Sequence, residues 1–274
     1  MKRLEVCVLP GRSSAGWRVA IVEAANALDA PVEVVFSEIE HRPFNSQCDH
    51  VVLLSESPDE IISWVQNTAS ASFADACRHA SILLAKAAVL AASGVDVRRQ
   101  DANEMEITGL GVVRIQREEL SFVRNAMGPL AFYDGLPLSS RAAVDWADEV
   151  FLGEEPSLLR QEGALRCDLT GRSRVLRYGP YFHLAPGLWT ICVRIAVQIE
   201  GGPADFRFEW GVDHDVTTVT QTVQQSGVYE VVLSKLWAEA DQSELRVWLD
   251  RAMFEGAFEV QSCKVWLIDT DQTD

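Results

Sequence analysis

The sequence predicts an α+β two-domain protein: an N-terminal Rossmann-like α/β domain over residues 1–155, then a C-terminal antiparallel β-sandwich, a jelly roll, over residues 164–274. Three observations predict it. The N-terminal stretch reads strand, helix, strand; the apolar period then changes from helical spacing to alternation; and the final third is a series of strand-length runs broken by Pro186-Gly187, Gly201-Gly202-Pro203, Ser226-Gly227 and Gly256.

Leu4 to Leu9 is a short apolar strand, and Ser13 or Ser14 caps a helix whose Trp17, Ile21, Ala24 and Leu28 recur on one face. Pro31 to Phe36 makes a second strand, closing a βαβ unit with a parallel pair. A third strand, His50 to Leu54, leads to Ser57-Pro58-Asp59-Glu60, where serine and glutamate have capping-box spacing and proline fits the first helical position. A longer helix is expected from Phe73 to Ala92, with Phe73, Cys77, Ala80, Leu84 and Ala87 inward and Gly94 as its stop. Met105 and Ile107, then Val113 and Ile115, alternate around Gly109-Leu110-Gly111 and predict a hairpin. A last helix is expected from Ser139 to Phe151, followed by a polar connection up to Gly163. Beyond it, Leu188 to Val197, Phe206 to Trp210, Val216 to Val223, Val228 to Leu233, Leu245 to Asp250 and Phe258 to Ile268 are the strands of the sandwich.

The chain has 274 residues, 48% hydrophobic and 23% charged, as a folded protein requires. Its 24 Lys and Arg against 40 Asp and Glu give a formal charge of −16, which opposes nonspecific attraction to phosphate backbones and anionic lipid. No nucleic-acid partner is expected. Met1 to Pro10 carries too short an apolar run for a signal peptide, and the apolar helical stretch around Ser81 to Ser93 is interrupted by Lys86, so neither export nor membrane insertion is expected and the location expected is cytoplasmic. Cys7, Cys48, Cys77, Cys167, Cys192 and Cys263 lack CxxC spacing and read as buried free thiols.

Few constellations carry chemistry. Gly11, Ser13, Ser14 and Gly16 form a glycine turn between a strand and a helix, where backbone N–H groups and the helix dipole can receive a phosphate, yet Trp17-Arg18 stands where a P-loop has Lys and Ser or Thr. Glu38 falls near the place of a ribose-binding acid, without the GxGxxG that would give it meaning. His41, Cys48, Asp49 and His50 are metal-competent types without a second ligand pair, and Ser139-Ser140 and Cys77 with His79 make no nucleophile and base. No catalytic set, metal or cofactor is expected.

The sandwich offers more. In Glu244 to Asp250 the alternation buries Leu245, Val247 and Leu249 and leaves Arg246, Trp248 and Asp250 together on the other face. Phe206, Phe208 and Trp210 likewise leave Arg207 and Glu209 opposite, and Arg194 faces away from Trp189, Ile191 and Val193. If these strands are neighbours, one outer face carries Arg194, Arg207, Glu209, Arg246, Trp248 and Asp250. Such a surface suits a pyranose, whose C–H face stacks on an aromatic while its hydroxyls meet planar charged groups. Asp213, His214 and Asp215 form a turn between strands, either a solvated turn or a rim site for calcium or ligand.

The segment Arg177-Tyr178-Gly179-Pro180-Tyr181, followed by Leu184-Ala185-Pro186-Gly187-Leu188-Trp189 and a strand containing Arg194, resembles one in bacterial polysaccharide-associated proteins, where it begins a carbohydrate-binding-module-like jelly roll. The resemblance covers roughly residues 170 to 270 and implies a noncatalytic, glycan-binding role; Trp189 stands where Tyr is commoner. On physical grounds Gly179 and Pro180 make a turn, and the two tyrosines pack their rings while their hydroxyls reach polar partners.

The first reading is thus a protein binding oligosaccharide or polysaccharide of the bacterial surface or exopolysaccharide, through Trp248 with Arg246, Asp250, Arg207 and Glu209. The second is a sugar-nucleotide or phosphoryl-transfer enzyme using the Gly11 to Gly16 turn. The third is an assembly component docking a partner protein or further copies of itself.

Overall fold

The computed structural model describes residues 2–39, 48–115, 128–139, 143–153, 158–161 and 164–268. The chain divides into two compact units, Met1–Ser139 and Ser140–Asp274.

In the first unit, strand β1 (Lys2–Val8) leads to helix α1 (Ser14–Asn26), β2 (Val32–Ser37), β3 (His50–Ser55), α2 (Pro58–Ala69), α3 (Phe73–Ala92) and β4 (Asp96–Arg99). The four strands form one parallel sheet in the order β2-β1-β3-β4. Helix α1 buries Trp17, Ile21 and Ala25 against Leu4, Val6, Val8, Val52 and Leu54. Helix α2 begins as its sequence requires: Ser57 accepts from the Glu60 N–H at 3.4 Å and Pro58 opens the first turn. Helix α3 is capped by Ser72, which accepts from the Asp75 N–H at 3.2 Å; it buries Cys77, Ala80, Leu84 and Ala87, whereas Phe73 in its first turn lies 41% exposed rather than inward. Gln100, fully buried just past β4, donates its amide to the carbonyls of Leu9 at 2.8 Å and Leu54 at 3.1 Å, tying the ends of β1 and β3, and its own carbonyl accepts from the Trp17 indole at 3.1 Å.

The expected Rossmann-like domain does not form. Past β4, where further alternating helices and strands would extend the parallel order, the chain instead makes an antiparallel hairpin, β5 (Glu104–Ile107) and β6 (Gly111–Arg114), and Met105, Ile107, Leu110 and Val113 fill the same core as Trp17 and Ile21. The protein as a whole is mostly strand, with three α-helices among the described residues. No helix among them is long and apolar enough to cross a membrane.

The second unit begins where a helix was expected from Ser139 to Phe151. The described part of that segment holds a short strand, β7 (Val144–Asp145), and a single 3-10 turn (Asp148–Val150). Val144 and Trp146 alternate inward at strand spacing, and Trp146 packs edge-on against Phe182 at 5.5 Å, so strand pairing satisfies burial that a helix would not. The expected polar connection contains β8 (Leu158–Gln161) and runs into β9 (Ala164–Asp168), which pair with each other.

The rest is sandwich: β10 (Arg174–Leu184), β11 (Gly187–Gln198), β12 (Ala204–Val212), β13 (Asp215–Val223), β14 (Gly227–Trp237), β15 (Asp241–Leu249) and β16 (Ala257–Ile268). One antiparallel sheet has the order β14-β11-β16-β9-β8, with β7 also on β16; the other has the order β10-β15-β12-β13. The alternation read from sequence holds on the inner faces. Phe206, Phe208, Trp210, Leu245, Val247 and Leu249 of one sheet are buried, as are Trp189, Ile191, Val193, Phe258 and Val265 of the other. Gly179 and Pro180 do not make a turn; they lie inside β10, whose register on β15 slips between Pro180 and Phe182.

Candidate functional site

The outer face of the four-stranded sheet gathers most of the residues proposed from strand parity. Register sets them in rows across the sheet. Val175, Trp248, Arg207 and Thr220 stand side by side on successive strands; the next row is Tyr178, Arg246, Glu209 and Thr218.

Their side chains form one connected network. Trp248, half-buried, donates its indole N–H to Glu209 Oε2 at 2.9 Å, and the Arg207 guanidinium lies over its ring with Cζ 4.7 Å from the centroid. Arg207 pairs with Glu209 and, through Nε at 3.2 Å to both oxygens, with Asp250. Arg246 pairs with Glu244 and reaches Glu209 at 3.8 Å and the Asp213 carbonyl at 3.4 Å. The hydrogen bond to Glu244 raises the Arg246 pKa further, so its charge is fixed at every ordinary pH. These contacts hold the indole in one orientation, at a cation–π strength of about 0.5–1 kcal/mol for an exposed pair.

Two residues outside the set read from strand parity join the network: Tyr181, whose ring was expected to pack on Tyr178 and whose hydroxyl was expected to reach a polar partner, and Glu244. The Tyr181 hydroxyl donates to Glu244 Oε1 at 3.0 Å, and its ring meets Tyr178 at 6.4 Å with the planes 65° apart. Burial, then the Glu244 hydrogen bond, push the Tyr181 pKa up to about 12, so it remains a donor. Strand parity would place residues 178 and 181 on opposite faces. The slip after Pro180 makes Tyr181 a bulged residue with φ of 69°, which returns it to the face of Tyr178.

Arg194 is not part of this surface. It lies on β11, in the other sheet, exposed and 3.7 Å from Glu230. Asp213 and His214 form the tight turn between β12 and β13, with Asp213 at φ 46°. Asp215 pairs with Lys235 at 2.7 Å. No cluster of three or more metal-competent side chains occurs among the described residues. Asp49 accepts from the Arg3 N–H at 2.8 Å, His50 begins β3, and His41 lies outside the described residues.

The Gly11 to Gly16 turn precedes α1 as expected, but its serines are turned inward on the chain. Ser14 donates to the Gly11 carbonyl at 2.7 Å, and Ser13, at the N-cap, makes no side-chain cap. The Glu56 side chain packs so close to Gly11 that a Cβ there would stand 2.9 Å from Glu56 Cγ. A carboxylate beside the turn opposes a phosphate in it. Gly16, already in the first turn of the helix, has open space around its Cα.

Comparison with known proteins adds the following. No protein-family model matches the chain, and no curated protein matches it. Among solved structures, a little under half of the chain is similar to carbohydrate-binding modules. A family 36 module of a multidomain xylanase from the hindgut metagenome of Trinervitermes trinervoides is 10% identical, with a TM-score of 0.35 over 47% of this chain and 100% of its own. A family 22 xylan-binding domain from Paenibacillus barcinonensis is 11% identical, with a TM-score of 0.29 over 48% of this chain and 89% of its own. The C-terminal family 6 module of a laminarinase from Zobellia galactanivorans is 12% identical, with a TM-score of 0.31 over 46% of this chain and 99% of its own.

Proposed function

We propose that the C-terminal unit is a noncatalytic glycan-binding module whose site is the outer face of the four-stranded sheet, and that its ligand is a bacterial surface polysaccharide or exopolysaccharide. One observation carries the site: a partly exposed indole, Trp248, held in place by Arg207 and Glu209 in the middle of a polar surface. An immobilised aromatic ring supplies a stacking platform at little entropic cost, and the surrounding carboxylates and guanidinium groups accept from and donate to sugar hydroxyls. The polysaccharide setting comes from the resemblance of the Arg177 to Trp189 segment.

Charge narrows the ligand. Arg207 and Arg246 face the three carboxylates Glu209, Glu244 and Asp250, so the cluster carries an excess negative charge within a chain of net −16. Neutral sugars are therefore favoured over uronic-acid polymers. The test is calorimetric titration with xylohexaose, cellohexaose and laminarihexaose, beside an oligogalacturonate. A neutral oligosaccharide should bind, and Trp248→Ala should abolish it. Binding unchanged in Trp248→Ala would place the site elsewhere.

A further inference from the structure

The first unit contains a cleft of about 260 Å³ at the carboxyl ends of β1 and β2, and its lining includes Ser14, Arg18, Glu38, Ile39, Trp64 and His79. Residues following β1 and β2 meet side chains of the three helices there. The carboxyl edge is the ligand-binding edge of open parallel sheets.

Arg18 is the distinctive residue. It stands one turn after Ser14, on the same face of α1, and its guanidinium lies over the Phe36 ring at 5.1 Å. Among the described residues it has no carboxylate partner, although the chain carries 40 acids against 24 bases. A half-buried, preoriented guanidinium that forms no ion pair among the described residues is suited to an external anion, and its fork matches phosphate best. The same cleft presents a carboxylate, Glu38, which repels an anion unless the ligand also brings hydroxyl groups to it. Trp64, 38% exposed, offers a ring face beside apolar Ile39.

We propose that this cleft binds a phosphorylated sugar, free or within a mononucleotide, with phosphate on Arg18, hydroxyls on Glu38 and the ring against Trp64. The site adjoins the Gly11 to Gly16 turn, sharing Ser14 with it, but places the phosphate on Arg18 rather than on the turn's backbone, beside which Glu56 lies; it shares no residue with the glycan surface of the other unit. The test is thermal shift and calorimetry of the full chain with ribose 5-phosphate, glucose 1-phosphate and AMP, using inorganic phosphate and ribose as controls. At least one of the three should bind more tightly than either control. Arg18→Ala should weaken it about tenfold or more, a loss of about 1.4 kcal/mol per decade; Arg18→Lys, which keeps the charge, should weaken it less, and Trp248→Ala should leave it unchanged. AMP without ribose 5-phosphate would put the base on Trp64, and the converse would put the sugar there. Failure of all three probes at millimolar concentration, or equal binding by a folded Arg18→Ala, overturns the proposal.

Discussion

Trp248 and Glu209 sit on adjacent strands, and the indole N–H of one donates to Oε2 of the other at 2.9 Å. Glu209 also holds Arg207, which covers the ring, so one carboxylate fixes both the edge and one face of the platform. Glu209→Gln should keep its side-chain oxygen as an acceptor but remove the charge that recruits Arg207. Glycan affinity is expected to fall about tenfold, roughly one charge-assisted hydrogen bond, with stability lowered by only about 1 kcal/mol. Titration and urea denaturation of the same variant separate the two quantities; equal losses in both would mean that Glu209 serves folding rather than binding.

Gly211 is required by space. A Cβ there would stand 2.1 Å from the Asp215 carbonyl oxygen and 2.8 Å from Val216 Cα, both backbone atoms of the facing strand. Neither can swing aside. Gly211→Ala should cost about 2 kcal/mol or more and displace the Asp213-His214 turn from Arg246, lowering the denaturation midpoint. A variant as stable as the parent would show that the hairpin end tolerates reshaping.

Arg177, first residue of the segment that carries the resemblance, is 1% exposed and pairs with Asp148, which is 22% exposed. Its Nε and Nη1 have no hydrogen-bond partner among the described residues, so Asp148 is the acid that compensates a buried charge. Asp148→Ala should therefore destabilise by about 3–5 kcal/mol, and replacing both residues by apolar ones should recover much of the loss. Urea unfolding of the single and double variants decides; a loss below about 1 kcal/mol would show the pair to be solvated like an ordinary surface pair.

Burial raises the Cys167 thiol from 9.0 to about 11. Between those values the unfolded chain gives up this proton while the folded one keeps it, so the contribution is complete below pH 9 and drains away as pH rises toward 11. Stability of the parent should fall over that interval, and Cys167→Ala should remove part of the slope. Urea midpoints at a series of pH values test it; parallel curves for the two proteins would assign the alkaline loss to other groups, Tyr181 and Cys263 among them.

Period and capping made much of this structure readable in advance. Ser57 with Glu60 located a helix start, and alternation through Leu245, Val247 and Leu249 located the face bearing Trp248. Parity says which way a residue points but not which sheet its strand joins, and so Arg194 was grouped with residues that the topology keeps on the opposite layer. It also fails at a bulge, where one extra residue resets the count: the tyrosine pair is legible in the sequence, but not the return of Tyr181 to the face of Tyr178, above Glu244. The hairpin of Met105 and Val113 is visible in the sequence, but its packing onto Trp17 in place of further parallel strands depends on contacts distant in sequence.

Tyr181 is, for the ladder, a spare residue. Pro180 faces Glu244 and Phe182 faces Ser243, consecutive positions on β15, so the strand would pair regularly and Phe182 would still point inward if position 181 were missing. A deletion there would erase the tyrosine from above Glu244 while leaving the framework's spacing intact. Length variation at this one point offers the protein a way to rewrite its outer surface without disturbing what lies beneath it.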